Sequence, residues 1–211
     1  MEDQIRLRIT FSKTEAMRYT SHLDLHRTWE RTIRRAGLPL VYSQGFNPRP
    51  KITLACALPL GITSSCEIMD IWLEGEKPIP AVLEALQNAL PPGITIHELE
   101  QVNMGEASLP TQVTSVQYIA ELSEPIKDLD DRLDVLKTAD HLERIRRGKT
   151  YDLRPLIENL SKLPDSTKGG QRLSMRLSAR EGATGRPEEV LNALGIPPHK
   201  VSLSRTGLIL G

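Results

Sequence analysis

The chain has 211 residues, 39 % hydrophobic, 26 % charged and 4 % aromatic, with 27 Lys/Arg balancing 27 Asp/Glu. That length gives one domain or two small ones with enough chain to bury a core, and the zero net charge argues against a bulk polyanion binder. No apolar run approaches a membrane span of roughly 18 residues. The opening MEDQIRLRITFS has the pattern of neither a signal nor a transit peptide, and Cys56 and Cys66 give no disulfide framework and no metal-ligand spacing. The expected compartment is the cytoplasm, with no metal and no cofactor.

Ile5 to Ser12 alternates apolar and polar residues, which predicts a half-buried strand. In SHLDLHRTWERTIRRAG, Leu25, Trp29, Ile33 and Ala36 recur at helical spacing, Ser21 and Asp24 have capping-box spacing, and Gly37 suits the position after the last turn. A helix over 22–36 follows. LPLVYSQGFNPRPK holds a short strand and a stiff Pro- and Gly-rich loop, and Lys51–Leu58 and Cys66–Leu73 are predicted strands around a PLGITSS turn. Residues 78–90 are predicted as a helix, 94–102 as a strand and 103–113 as a polar linker. The order β-α-β-β-α-β over 5–102 is the ferredoxin-like split βαβ arrangement.

The second half has the same plan. Residues 115–122 are predicted as a strand and 125–136 as a helix, 139–149 reads as strand or helix, and YDLRPLIENLSKL reads as a short helix. Arg172–Arg180 alternates strongly as a strand, Pro187–Leu194 is a helix with Pro in its first turn, and Val201–Leu210 closes as a strand. The predicted fold class is therefore α+β, with two ferredoxin-like βαββαβ domains in tandem over 1–104 and 114–211, the second with a helical insert near 148–170. Element order alone carries the tandem reading; a single larger α+β domain is the alternative.

The neutral total hides segregation. Residues 1–60 carry ten Lys/Arg against five Asp/Glu, 61–136 three against fourteen, and 137–211 fourteen against eight. Such asymmetry points to a polarised surface and charged partners.

Four places hold candidate chemistry. Around the first helix N-terminus stand Arg18, Tyr19, His22, Asp24, His26 and Arg27, where free N–H groups favour an anion; a structural reading leaves Asp24 as a cap and His26 on the surface. Arg27, Arg31 and Arg34 share the face of that helix opposite its apolar one. The loop Tyr42-Ser43-Gln44-Gly45-Phe46-Asn47-Pro48-Arg49-Pro50-Lys51 mixes aromatic and basic groups on a stiff frame, a mixture suited to stacking and phosphate contact. Arg144, Arg146, Arg147 and Lys149 form a basic edge. Arg172, Arg176 and Arg180 lie on one side of a strand with Ser174 and Ser178. The stacking aromatics of RNA-recognition sheets are missing there, which shifts weight to the helix-and-loop surface. No P-loop, dinucleotide fingerprint, HExxH or GxSxG occurs.

The run from Arg18 to Ile71 resembles the N-terminal part of the radical-SAM-associated domain of unknown function DUF2344. Arg18, Tyr19, Ser21-His22-Leu23-Asp24, Arg34-Arg35-Ala36-Gly37-Leu38-Pro39 and Tyr42-Ser43-Gln44-Gly45-Phe46-Asn47-Pro48 carry the match. Arg147-Gly148-Lys149, with Arg147 where lysine is expected, and Asp152-Leu153-Arg154-Pro155 are similar to its second-half pattern. Members occur fused behind a radical-SAM domain or as separate chains, beside genes for a ribonuclease and ribosomal proteins. The resemblance implies RNA- or ribosome-linked work, with no activity established. The chain lacks the CxxxCxxC cluster site, so a partner chain supplies any radical chemistry.

The leading expectation is a non-catalytic RNA-binding or substrate-presenting module acting beside a radical-SAM protein or a ribonuclease. Arg18, Arg27, Arg31, Arg34, Arg49 and Lys51 would contact phosphates, and His22 and Tyr42 would read the ligand. Tyr19, Asp24, Gln44, Phe46, Asn47, Arg146, Arg147 and Lys149 complete the candidate set. Two alternatives stand beside it. In plan the chain also resembles CRISPR repeat-cleaving ribonucleases, which would make it a metal-free endoribonuclease with His22 as general acid or base. It would otherwise be a protein–protein adaptor using the acidic segment 61–136.

Overall fold

A computed structural model describes residues 4–146, 148–167 and 169–211. The fold is mixed α+β with mostly antiparallel strands, and the chain divides into two compact units, Met1–Gln112 and Val113–Gly211. No helix among the described residues is long and apolar enough to cross a membrane.

In the first unit the elements are β1 (Gln4–Lys13), α1 (His22–Arg35), β2 (Ile52–Leu54), β3 (Thr63–Glu74), α2 (Ile79–Ala89), β4 (Ile94–Val102) and α3 (Leu109–Gln112). β1 pairs antiparallel with both β3 and β4, and β2 pairs with β3, giving the order β4-β1-β3-β2. Alternate residues Ile5, Leu7, Ile9 and Phe11 of β1 enter the core with Leu25, Trp29 and Ile33 of α1 and Val82 and Leu86 of α2. Trp29 meets Phe11 edge to face, with ring centroids 4.8 Å apart.

β1 is not half-buried as its alternation predicts. Arg6 and Arg8, on the face away from the helices, are buried as well. Both donate to Asp70 of β3, through Arg6 Nε at 2.9 Å and Arg8 Nε at 2.9 Å. Arg6 also donates to the carbonyls of Glu106 (2.7 Å) and Ala107 (3.0 Å), and Arg8 pairs with the Glu106 carboxylate at 2.9 Å. The side-chain bonds from Gln112, then from Arg8, hold Glu106 below the usual carboxylate range, and Asp70 raises the Arg8 guanidinium. The supposed linker 103–113 is thus docked over β1 by buried charge and contains α3. The predicted strand 51–58 is shorter, only β2.

The second unit holds β5 (Val113–Leu122), α4 (Leu129–Thr138), β6 (Glu143–Arg146), β7 (Lys149–Asp152), β8 (Ile157–Leu163), β9 (Arg172–Arg180), β10 (Ala183–Thr184), α5 (Pro187–Ala193) and β11 (Val201–Leu210). β5 lies between β11 and β9, and β8 pairs with the other edge of β9, all antiparallel. The order β11-β5-β9-β8 repeats the fourth-first-third-second sequence of the first unit. α4 starts later than predicted because Ile126 is clamped by the Gln171 amide, which accepts from its N–H (2.7 Å) and donates to its carbonyl (3.1 Å).

The helical insert expected near 148–170 is instead a β6–β7 hairpin, a 3₁₀ turn at Arg154–Leu156, and the strand β8. Leu153, Ile157 and Leu160 are all buried, at spacings of four and three residues that imitate a helix. The register with β9 shifts between Ile157 and Asn159, and this bulge puts Ile157 and Leu160 on one face of a strand.

Candidate nucleic-acid interface

The first helix is built as its sequence predicts. Ser21 is the N-cap: its Oγ accepts from the Asp24 N–H at 3.2 Å and donates to the Asp24 carboxylate at 2.7 Å. At 3.6 residues per turn the helix has two flanks beside its buried stripe. His26 lies on the flank that faces β2, with Nε2 3.3 Å from the Ile52 carbonyl, and His22, one turn earlier, shares that flank. Asp24, Thr28, Arg31 and Arg35 form the other.

The second flank borders a groove of about 770 Å³ lined by Met17, Thr20, Asp24, Arg27, Thr28, Arg31, Arg34, Arg35 and Pro91. Four arginines face one carboxylate there. Arg27 lies 3.3 Å from Asp24 and Arg34 3.8 Å from Glu30, pairs more than half exposed on the arginine side and therefore weak in water. Arg31 is exposed and makes no hydrogen bond or ion pair with any described residue. Arg35 donates to the Ala89 carbonyl at the end of α2 at 2.9 Å. Met17 and Thr20 come from the 3₁₀ turn Glu15–Met17 and the bend after it. Gly93 packs against that turn: its φ is +93°, and a Cβ on it would lie 2.6 Å from Met17 Cγ.

Of the predicted residues, Asp24, Arg27, Arg31 and Arg34 line this groove; Met17, Thr20, Thr28, Arg35 and Pro91 were not among them. Arg18 does not line it. Its Nε donates to the Gly61 carbonyl at 2.8 Å, its Nη1 lies 3.4 Å from the Glu15 carboxylate, and its guanidinium sits 5.8 Å from the Tyr19 ring centroid. Arg18 is a scaffold residue beneath an exposed Tyr19.

The predicted loop leaves the sheet edge on the β2 side. The Trp72 carbonyl accepts from Val41 N–H (2.9 Å), Lys51 N–H bonds the Val41 carbonyl (2.8 Å), and Trp72 N–H bonds the Lys51 carbonyl (3.2 Å). Residues 42–50 are therefore looped out between adjoining strand positions. The Tyr42–Pro50 bridge, a Ser43 N–H to Arg49 carbonyl bond of 2.8 Å and an Arg49 N–H to Ser43 Oγ bond of 3.0 Å stiffen the base. Gln44, Phe46, Asn47, Arg49 and Lys51 are exposed beyond it, Phe46 completely.

In the second unit, Arg144 opposes Tyr151 and Arg146 opposes Lys149 across the β6–β7 hairpin. Directly opposed residues share a face, so one face carries three cations and a tyrosine. Burial, then Glu189, pushes the Tyr151 phenol up. Arg147 lies outside the described residues. The hairpin base is closed by Asp152, whose Oδ1 accepts from the N–H groups of Leu142 (2.8 Å) and Arg154 (2.9 Å), and whose Oδ2 lies 3.0 Å from His141 Nδ1. Arg154 donates to the Lys137 carbonyl in the last turn of α4 (3.1 Å). Asp152, Leu153 and Arg154 are framework. On β9, Arg176 pairs with Glu158 at 3.0 Å and Ser174 accepts from Gln117 at 3.3 Å, so these groups are engaged within the sheet.

Among the described residues no group of three or more His, Cys, Asp or Glu is placed to hold a metal ion. The chemistry on offer is anion binding by guanidinium groups.

No curated protein matches the sequence. Solved structures give low-scoring likenesses. An unknown protein from Galdieria sulphuraria is 14 % identical over 99 % of both chains with a TM-score of 0.29. The acetolactate synthase small subunit from Thermotoga maritima is 9 % identical over 98 % of this chain and 95 % of its own, TM-score 0.26. Thermus thermophilus Cse3 bound to an RNA is 11 % identical over 98 % of this chain and 100 % of its own, TM-score 0.22. At these scores the likenesses carry no argument. Residues 6–187 match a family described as an uncharacterized protein conserved in bacteria, and the chain belongs to that family, DUF2344.

Proposed function

We propose that the chain is an RNA-binding module, not catalytic by itself, built as two ferredoxin-like βαββαβ units and presenting RNA to a radical-SAM protein or a ribonuclease. The observation that carries the reading is the α1 groove, where four arginines face one carboxylate and Arg31 has no partner among the described residues. A groove of this charge collects phosphates and gains by releasing their counterions. The 42–51 loop and the basic face of the β6–β7 hairpin are further phosphate contacts. His22 lies on the β2-facing flank and not among the groove's lining residues, which favours binding over cleavage.

The test is a salt series of binding to a single-stranded RNA oligonucleotide, with the wild type against Arg31→Ala plus Lys51→Ala. Each single-strand phosphate contact contributes about 0.7 to the slope of log affinity on log salt. Three or four contacts predict a roughly 20- to 50-fold loss between about 50 and 200 mM salt, with a flatter slope in the variant. Absence of binding at low salt, or an unchanged slope, overturns the reading. His22→Ala is expected to bind as the wild type does.

A further inference from the structure

We infer that Tyr19 is a stacking platform for one unpaired base, so that the α1 groove takes single-stranded RNA in preference to a duplex. The inference rests on the RNA-binding reading and specifies its substrate class.

Tyr19 is 77 % exposed, in a chain where aromatic residues are only 4 %. One face of its ring is backed by the Arg18 guanidinium, 5.8 Å from the centroid. That guanidinium is fixed by the Gly61 carbonyl at 2.8 Å and by Glu15 at 3.4 Å. The backbone beneath is tied as well: Gly61 N–H donates to the Arg18 carbonyl at 3.1 Å and Thr20 N–H to the Met17 carbonyl at 2.9 Å. The ring therefore stands on a cross-braced turn with its other face in solvent. Leu23 and Leu60, 69 % and 61 % exposed, stem from the start of α1 and from the segment bonded to Arg18.

The same turn opens onto the arginines. Met17 and Thr20, on either side of Tyr19 in sequence, both line the α1 groove. A strand whose phosphates lie on Arg27 and Arg31 would meet the turn that carries the ring. A single strand can turn a base onto it, whereas a duplex keeps its bases paired and stacked inside, and sequence-reading RNA modules use aromatic side chains in this way.

Stacking and phosphate contact have separable signatures, since stacking adds affinity without changing the counterions released. The experiment measures binding of a labelled 12-nucleotide single-stranded RNA and a 12-base-pair RNA duplex to the full chain across a salt series, for wild type, Tyr19→Ala and Tyr19→Phe. The wild type is expected to prefer the single strand. Tyr19→Ala is expected to weaken it by about 5- to 150-fold at every salt concentration, the range for loss of one stacked base, with the slope and duplex affinity unchanged. Tyr19→Phe is expected to bind like the wild type, and all three proteins to unfold at the same temperature. Equal loss on both RNAs, no loss on either, or a wild-type preference for duplex overturns the inference while leaving a steep salt slope, and with it the RNA-binding reading, intact. A wild type that binds neither RNA overturns both.

Discussion

Arg35 donates from Nη2 to the Ala89 carbonyl at 2.9 Å, joining the last turn of α1 to the last turn of α2. This bond commits one arginine of the groove to the framework, while its neighbour one turn back, Arg31, is uncommitted. The two should separate on replacement. Arg35→Ala is expected to cost about 1 kcal/mol of stability, the usual net worth of one such bond, and Arg31→Ala to stay within about 0.5 kcal/mol of wild type. Urea unfolding of both variants checks this.

Asp70 holds two buried guanidinium groups and accepts from both Arg6 Nε and Arg8 Nε. Asp70→Asn leaves positive charge in the interior without its counter-charge. The expected loss is about 3–5 kcal/mol, seen as a lower midpoint in chemical unfolding, together with release of residues 103–108 to proteolysis. A loss below 1 kcal/mol contradicts this account of β1.

Gly93 sits at φ +93° with its α-carbon against the turn that carries Met17 and Ala16. An alanine there meets both strain and contact, and is expected to cost about 1–3 kcal/mol. Because that turn forms one end of the groove, Gly93→Ala should also weaken RNA binding, as thermal melts and binding assays on the same preparation will show.

The N–H of Leu142, then that of Arg154, with His141 adding to them, holds the Asp152 carboxyl below the ordinary range. A depressed folded value means the ionised form is the stabilising one. Its contribution is complete above the unfolded value of about 3.9 and fades as pH falls through the folded one. Amide protection at Leu142 and Arg154 is expected to hold at neutral pH and drop in acid, and to be absent at every pH in Asp152→Ala. A protection step that survives in the variant contradicts this role.

α1 was legible from sequence because its stripe, its Ser21 cap and its terminal Gly37 all agree on one local structure. The order of the larger elements followed from alternation in β1 and β9 and from the strand segments read over Cys66–Leu73 and 115–122. Other features depend on distant partners. Nothing near Arg6 and Arg8 shows that Asp70, more than sixty residues away, will bury them. Leu153, Ile157 and Leu160 imitate a helix until the bulge against β9 is known. The arginine face of α1 could be read from spacing, but Met17 and Pro91 reach the groove from connections that no periodicity places. Of the predicted phosphate contacts Arg18 braces the turn that displays Tyr19, and Asp152 and Arg154, which carry part of the family resemblance, brace the base of the basic hairpin.

The most direct test of the central claim is photochemical cross-linking of the full chain to 4-thiouridine-containing single-stranded RNA at low salt, with the cross-linked peptides mapped by mass spectrometry. Cross-links are expected within residues 17–35, lost when Arg27, Arg31 and Arg34 are replaced together by alanine. Cross-links confined to β5, β9 and β11, or a map unchanged by that triple replacement, would contradict it.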